Sequence, residues 1–400
     1  MKKIIFYVFG YKYNEIYKNR YQIQHLSKDF DIHVIDLSKI FSPFLKKKIK
    51  RLKNHRNIFV INKLKDFNKL LSRKLPNFAV LDGDENFQKK IERIVRQYSV
   101  STKIIEFHNS TLPDHVPFYN LYATKRIIFN IFAIRFFPKL LTQICKIIYL
   151  YFKKLIFDEK EKKQKIDILF YAGKSTLFRK DIKKKFIEKK ISSPSFDYDK
   201  FLQVKNVQKK KFYNKNYVVF LDQMAFHHDD FKSPDLHNAP VSEKYFKEMS
   251  NFFSIFEKKF NTEILIALHP ACHIKNYHKF FDYRKCFKNK TIELVRDSSM
   301  VLLHPSTSSV SYPIIFKKPI TYLTTDEMIN SYTFYKALLV RQKIFGGNFL
   351  NISKIKNENF SLKFKINKKA YNFYYSNFIN SCKSSEKKKN LYKTILRNLK

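Results

Sequence analysis

The chain is poor in glycine, with five in 400 residues: Gly10, Gly83, Gly173 and the adjacent Gly346 and Gly347. Neither a GxGxxG turn nor a P-loop can be assembled from these positions, so nicotinamide dehydrogenases and P-loop kinases are set aside at the outset. Cysteine is equally sparse. Cys145, Cys272, Cys286 and Cys382 stand far apart without CxxC spacing, which argues against a disulfide scaffold or a structural zinc site and for a reducing cytosol. Long apolar runs are missing too. Residues 1–9 imitate the start of a signal peptide, but polar residues 11–15 follow at once and no small-residue cleavage site is present. A first β-strand is the better expectation. Acidic residues are few, 34 against 79 basic, for a formal charge of +45.

What is present suits a packed globular chain. Apolar residues make up 44% and aromatics 17%, and the length allows two domains, each with its own core. The positive charge points to an anionic partner: phosphates, nucleic acid or an inner membrane face. The same excess of Lys, Asn, Ile, Phe and Tyr is also what an AT-rich genome imposes on any protein, and the lysines are spread along the whole chain.

Short apolar runs alternate with helical stretches. Strands are expected at residues 4–9, 31–37, 57–61, 78–81 and 103–107, with a Tyr/Lys-rich helix after the first, reaching about Ser27. This is the pattern of a parallel, doubly wound α/β sheet. Residues 120–158 are apolar, aromatic and basic, but Arg135, Pro138, Lys139 and Lys146 interrupt them before a membrane span is reached. Two readings remain, an amphipathic element on anionic lipid and a buried helix with snorkelling lysines. The charged run 158–165 reads as a linker, and the pattern restarts at 167–173, 217–221, 264–268, 300–303 and 319–323. The expected organisation is therefore an N-terminal domain over 1–165, a second over 166–345, and a helical tail over 346–400.

In open parallel sheets, ligands bind at the carboxyl ends of strands. Three segments of the second half fall there. His269, held by Pro270 after one strand, can hydrogen-bond a phosphate oxygen, or it caps a loop. After another strand come His304, Pro305, Ser306, Thr307, Ser308 and Ser309, a hydroxyl-rich turn suited to phosphate and richer than a helix cap needs. The third holds Asp222 and Gln223, then His227, His228, Asp229 and Asp230. Adjacent residues converge poorly on one ion and no HxH or HExxH spacing exists, so a polar loop near a nucleotide is expected rather than a metal site.

Taken in order, residues 217–323 read strand–Asp-Gln…His-Asp, helix, strand–His-Pro, Arg284, and strand–His-Pro-Ser-Thr-Ser-Ser…Lys-Lys-Pro-Ile. This order resembles the donor half of bacterial GT-B glycosyltransferases of surface-polysaccharide synthesis. It is similar in particular to the sialyltransferase-like and Kdo-transferase-like groups that use CMP-activated acidic sugars. The resemblance covers about a quarter of the chain. It implies two Rossmann-like domains with parallel sheets facing across a cleft, plus C-terminal helices. His269 would contact the nucleotide phosphate, Ser308 and Ser309 (or Ser306 and Thr307) would hold its oxygens, and Gln223, Arg284 and His304 complete the expected nucleotide site. The acidic motif of those families has its nearest match at Asp82-Gly83-Asp84 in the first domain. Leu81 stands where they carry an acid, so the base that deprotonates the acceptor hydroxyl is expected at Asp82 or Asp84. The same residues favour a tight turn. Glu106, His108 and Asp114 are further acceptor-side candidates at a strand end.

The resemblance implies transfer from a nucleotide sugar to a glycan or lipid-linked acceptor, with inversion and without metal or cofactor, in the cytoplasm and peripheral to the inner membrane. A CDP-glycerol-type polymer phosphotransferase and a UDP-sugar epimerase-like enzyme are rival enzymes. A basic nucleic-acid-binding protein is a rival of another class, for which no helix-turn-helix, zinc or RNA-recognition signature is present.

Overall fold

A computed structural model describes residues 2–42, 57–117, 125–126, 163–205, 211–226, 242–270, 272–346, 349–362, 364–382 and 390–400. The segment 120–158 falls almost wholly outside these residues, as do His227, His228, Asp229 and Asp230. No helix among the described residues is long and apolar enough to cross a membrane.

Two fully parallel sheets organise the chain. The first has seven strands in the order β3-β2-β1-β4-β5-β6-β7. They are β1 (Ile4–Phe9), β2 (Asp31–Asp36), β3 (Ile58–Val60), β4 (Phe78–Asp82), β5 (Lys103–His108), β6 (Lys165–Tyr171) and β7 (Phe186–Ser192). The second has six, in the order β10-β9-β8-β11-β12-β13. Its strands are β8 (Tyr217–Leu221), β9 (Glu263–Leu268), β10 (Cys286–Lys288), β11 (Met300–Leu303), β12 (Ile320–Thr324) and β13 (Phe349–Asn351). In both, the first strand in the chain lies centrally, the next two extend to one side and the rest to the other. That is the Rossmann order, with a switch point between β1 and β4 and another between β8 and β11. The expected fold class, two Rossmann-like α/β units with helices at the C-terminus, is what the chain adopts.

Central strands are buried on both faces, so they need continuous rather than alternating apolar sequence. Phe6, Val8, Ala79, Leu81 and Ile104 pack one face of the first sheet against helix Glu85–Tyr98, while Tyr7, Phe9, Val80, Ile105 and Phe170 pack the other. The second sheet buries Val218, Phe220, Ile264, Ile266 and Leu302 under Phe252, Phe253 and Phe256 of helix Lys244–Phe260.

The chain segregates into two compact units, and their limits differ from the expected ones. The first comprises Met1–Thr111, Glu161–Asp199 and Asn377–Lys400; the second comprises Leu112–Lys160 and Lys200–Ser376. Strand β6, read from sequence as the opening of the second domain, pairs with β5 from Ile105↔Ile168 to His108↔Tyr171. Phe107 stacks on Phe170 at 4.8 Å, and β7 then closes that side of the sheet. The tail does not stand apart either. Leu391, Ile395 and Leu399 of helix Leu391–Leu399 enter the core of the first unit.

Candidate functional site

In the second unit, β9, β8 and β11 are neighbours, so the residues following them share one edge. At a strand spacing of about 4.8 Å, the ends of β9 and β11 lie about 10 Å apart with β8 between. Leu221 ends β8, and the buried Asp222 and Gln223 follow. One carboxylate oxygen of Asp222 accepts the Met224 N–H at 3.0 Å, and Met224 takes the left-handed conformation (φ 54°) that this tight reversal demands. Burial pushes the Asp222 carboxyl up to about 7, against the Met224 N–H, the Tyr277 hydroxyl and the backbone N–H groups of His269 and Gln223. The turn after β9 is thereby tied to the turn after β8. It closes on itself where the His269 carbonyl accepts the Cys272 N–H at 2.9 Å.

On the other side, the Ser306 hydroxyl donates to Gln223 Oε1 at 2.9 Å. This bond spans the switch point. The amide nitrogen of Gln223, in a residue only 8% exposed, has no hydrogen-bond partner among the described residues. A buried donor without a partner costs about 1–3 kcal/mol, so it marks a place where an acceptor is expected to arrive. Thr307 is buried and its N–H bonds back to the His304 carbonyl at 3.1 Å, while Ser308 is exposed and Ser309 half-buried. His269, Gln223, Ser306, Thr307, Ser308 and Ser309 thus all follow neighbouring strands on one edge of the second sheet.

His304 and Arg284 do not join them. His304 is fully buried, with Nδ1 donating to the Leu323 carbonyl at 2.8 Å and Nε2 accepting from the Tyr245 hydroxyl at 2.8 Å. Burial drives its imidazole down to about 4, so it is a neutral core residue that ties β11 to β12 and helix Lys244–Phe260. Arg284 precedes β10 and therefore lies at the opposite, amino-terminal edge. Its guanidinium is taken by Glu257 (2.8 and 3.1 Å), the Ser254 hydroxyl and the Phe281 carbonyl, over the Phe253 ring.

In the first unit, Asp82 ends β4 beside β1, where Gly10 N–H donates to the Asp82 carbonyl at 2.8 Å. Its carboxylate accepts the Tyr21 hydroxyl at 2.8 Å. Burial raises its pKa, opposed by that hydrogen bond and by the charges of Arg20 and His108. Asp84 is instead the N-cap of helix Glu85–Tyr98, accepting the Phe87 N–H at 2.9 Å. Between them, a Cβ on Gly83 would come within 2.2 Å of the Phe87 ring, so this turn needs glycine for close packing. Of the two expected bases, Asp82 stands at the strand end with its carboxylate on the Tyr21 hydroxyl, and Asp84 is a helix cap.

Glu106 is completely buried, and Lys185 Nζ sits 2.7 and 2.9 Å from its two oxygens. His108 Nε2 lies at 3.1 Å and the Gln164 amide at 3.2 Å. Burial would raise the Glu106 carboxyl, but the His108 hydrogen bond and the Lys185 charge outweigh it and hold the group below the usual range. Asp114 is separated from this pair. It lies in the turn Pro113–His115 of the second unit, 3.5 Å from the fully buried Arg341. Sequence reasoning passed over Tyr21, Lys185, Tyr245 and Arg341. Nothing in the sequence separates Lys185 from the lysines around it, and a phenol needed for its hydroxyl looks like one needed for its ring. No group of His, Cys, Asp and Glu suited to a metal ion occurs among the described residues.

No protein-family model matches the chain, and no curated protein does. Solved structures do resemble it. UDP-GlcNAc 2-epimerase of Methanocaldococcus jannaschii, in complex with UDP-GlcNAc and UDP, aligns over 92% of this chain and 98% of its own, at 15% identity and a TM-score of 0.43. The spinosyn forosaminyltransferase SpnP aligns over 90% and 88%, at 10% identity and a TM-score of 0.43. MurG of Acinetobacter baumannii aligns over 88% and 87%, at 7% identity and a TM-score of 0.39. Likeness at this level assigns no residue its role; the strand-end chemistry has to do that.

Proposed function

We propose that the chain is a sugar-nucleotide enzyme, and specifically an inverting glycosyltransferase whose donor phosphate binds at the β8/β11 switch point. The observation that carries this reading is the Gln223 amide, buried and without a partner among the described residues, on the strand end between those that lead into His269 and into the Ser306–Ser309 hydroxyls. Donors on adjacent strand ends that converge without glycine can cradle a phosphate and stabilise its charge as it leaves. The acceptor oxygen attacks the anomeric carbon, the bond from that carbon to the phosphate oxygen breaks, and the nucleotide departs with the electron pair. The acceptor proton passes to a carboxylate or imidazole base. The reading includes a CMP-activated acidic sugar as donor, a surface-glycan or lipid-linked acceptor, and no metal.

Incubation with CMP-, UDP- and GDP-sugars, with nucleotide release and donor consumption followed separately, tests it. Acceptor-dependent nucleotide release is the expected result. Isomerisation of the donor without release makes the chain an epimerase, and no binding of any of the three nucleotides overturns the switch-point site. His269→Ala is expected to lower kcat about 10²–10³-fold with an unchanged unfolding midpoint. Gln223→Ala should weaken nucleotide binding about tenfold, read by calorimetry.

A further inference from the structure

Arg341 lies in helix Tyr332–Phe345 of the second unit and has no exposed surface. Phe345, one turn further on the same face, packs against Tyr322 at 6.1 Å and Tyr374 at 5.4 Å, and both phenols act on the charge of the guanidinium. Tyr322 stands in the middle of β12, and alternation turns it to the sheet face opposite Leu323, away from helix Lys244–Phe260. A guanidinium carries five N–H donors in a planar fork, and leaving them bare in a low-dielectric interior is costly for any fold. Yet none of the three nitrogens of Arg341 has a hydrogen-bond partner among the described residues. Asp114 Oδ1, in the turn Pro113–His115 that packs on this helix, is 3.5 Å from Nη2 and is itself buried without a hydrogen bond. The Tyr322 hydroxyl, in a residue 2% exposed, is a third buried polar group with no partner.

We propose that Arg341, Tyr322 and Asp114 form a site for a protonated phosphate, free or as a monoester. The three groups ask for different things. The guanidinium fork needs several acceptor oxygens in bidentate geometry, which phosphate and carboxylate both offer. The neutral Tyr322 phenol can donate one more hydrogen bond to the same anion. Asp114 Oδ1 can only accept, so the ligand must also carry a donor. A hydrogen phosphate meets all three demands, because its oxygens face the guanidinium and the phenol while its P–OH donates to Asp114. Sulfate and carboxylate ions have no proton to give, and a phosphodiester has none either. The Asp114 side chain is 32% exposed, with its other oxygen 3.9 Å from His115 Nε2, whereas Arg341 is 0% exposed. A phosphate therefore reaches the guanidinium from the side of Asp114. The site shares no residue with the β8/β11 switch point and does not depend on the transfer reading.

Calorimetric titration of the full chain with inorganic phosphate, glycerol phosphate and sulfate, at constant ionic strength, tests the proposal. Saturable binding of phosphate, with sulfate at least tenfold weaker, is the expected result. Glycerol phosphate binding as tightly as phosphate assigns the site to monoesters; binding of phosphate alone assigns it to the free ion. Arg341→Met should abolish the binding. Tyr322→Phe keeps the ring and removes one hydrogen bond, so the Kd for phosphate should rise about 3–10-fold. Asp114→Asn replaces an acceptor with a group that can donate, and should bring the phosphate and sulfate affinities within about threefold of each other. These two variants preserve the shape of the core and decide the matter if Arg341→Met does not fold. Gln223→Ala, which alters the switch point, should leave phosphate binding as in the wild type. Equal affinity of the wild type for sulfate and phosphate, or no saturable binding, overturns the site. So does an unchanged phosphate Kd in both Tyr322→Phe and Asp114→Asn, or a loss of phosphate binding in Gln223→Ala, which would place the anion at the switch point instead.

Discussion

Asp222 and His304 are both fully inside the second unit and titrate in opposite senses. Asp222 is raised from 3.8 to about 7, so the fold favours its protonated form: its contribution is fully present below the unfolded pKa and is lost as pH rises through about 7. His304 is lowered from 6.5 to about 4, so the fold favours the neutral ring: its contribution is present above 6.5 and is lost as pH falls toward 4. Between pH 4 and 6.5 the two slopes oppose one another. Asp222→Asn removes one of them. We expect the variant to lose stability on acidification from pH 7 to 5 more steeply than the wild type, read as the urea midpoint at each pH. Equal slopes for the two proteins would show that the Asp222 carboxyl is not held protonated by burial. At this scale the sequence was legible in part. His269, Gln223 and the Ser306–Ser309 run stand out because they follow apolar strands, and the structure puts them on one edge. His304 shares the same His-Pro pattern as His269 yet turns inward, since the side chain directly after a strand faces either core or edge according to the pleat, which composition does not reveal.

Among elements, capping and edge position explain what the pattern concealed. Asp84 looks like half of an acidic motif, but its carboxylate satisfies the Phe87 N–H at the start of helix Glu85–Tyr98. Asp84→Ala should therefore cost about 1 kcal/mol of stability, with the proposed sugar-nucleotide turnover retained. Thermal unfolding and nucleotide release on one preparation check this, and a loss of kcat with unchanged stability would return Asp84 to the chemistry. The apolar central strands of both sheets are plain in the sequence. Strands β7, β10 and β13 are not. β7 carries the exposed Glu188, Lys189 and Lys190, and both β10 and β13 are three residues long at a sheet margin. An edge strand has one neighbour and solvent on the other side, so charge there limits aggregation and erases the apolar signature. The Tyr/Lys-rich helix after β1 also proves to be two short helices, Glu15–Arg20 and Ile23–Leu26, parted at Gln22 with φ 54°.

For the whole molecule, the chain leaves its first unit and returns to complete it. Asp199 is buried and accepts the Gln22 amide at 2.8 Å and the Leu391 N–H at 2.7 Å, so three distant parts of the sequence meet on one carboxylate. Tyr392 and Lys400 add bonds to Asp29 at 2.6 and 2.7 Å. Ending the chain at Ser376 strips Leu391, Ile395 and Leu399 from the core, at about 1.5–3 kcal/mol each, and leaves Asp199 short of a donor. That sum approaches the stability of a typical domain. We expect the shortened chain to lose the cooperative unfolding transition of the first unit, seen by calorimetry; an unchanged transition would mean the terminal helix is a mere appendage. By itself the sequence determined that there are two parallel α/β halves, because doubly buried strands must be apolar throughout and glycine is too scarce for dinucleotide or P-loop turns. Only the tertiary structure decided where the halves divide, which histidine is core and which is edge, and that Lys185 meets Glu106. Those outcomes depend on strand order and on contacts between residues far apart in the chain, and local composition carries no record of either.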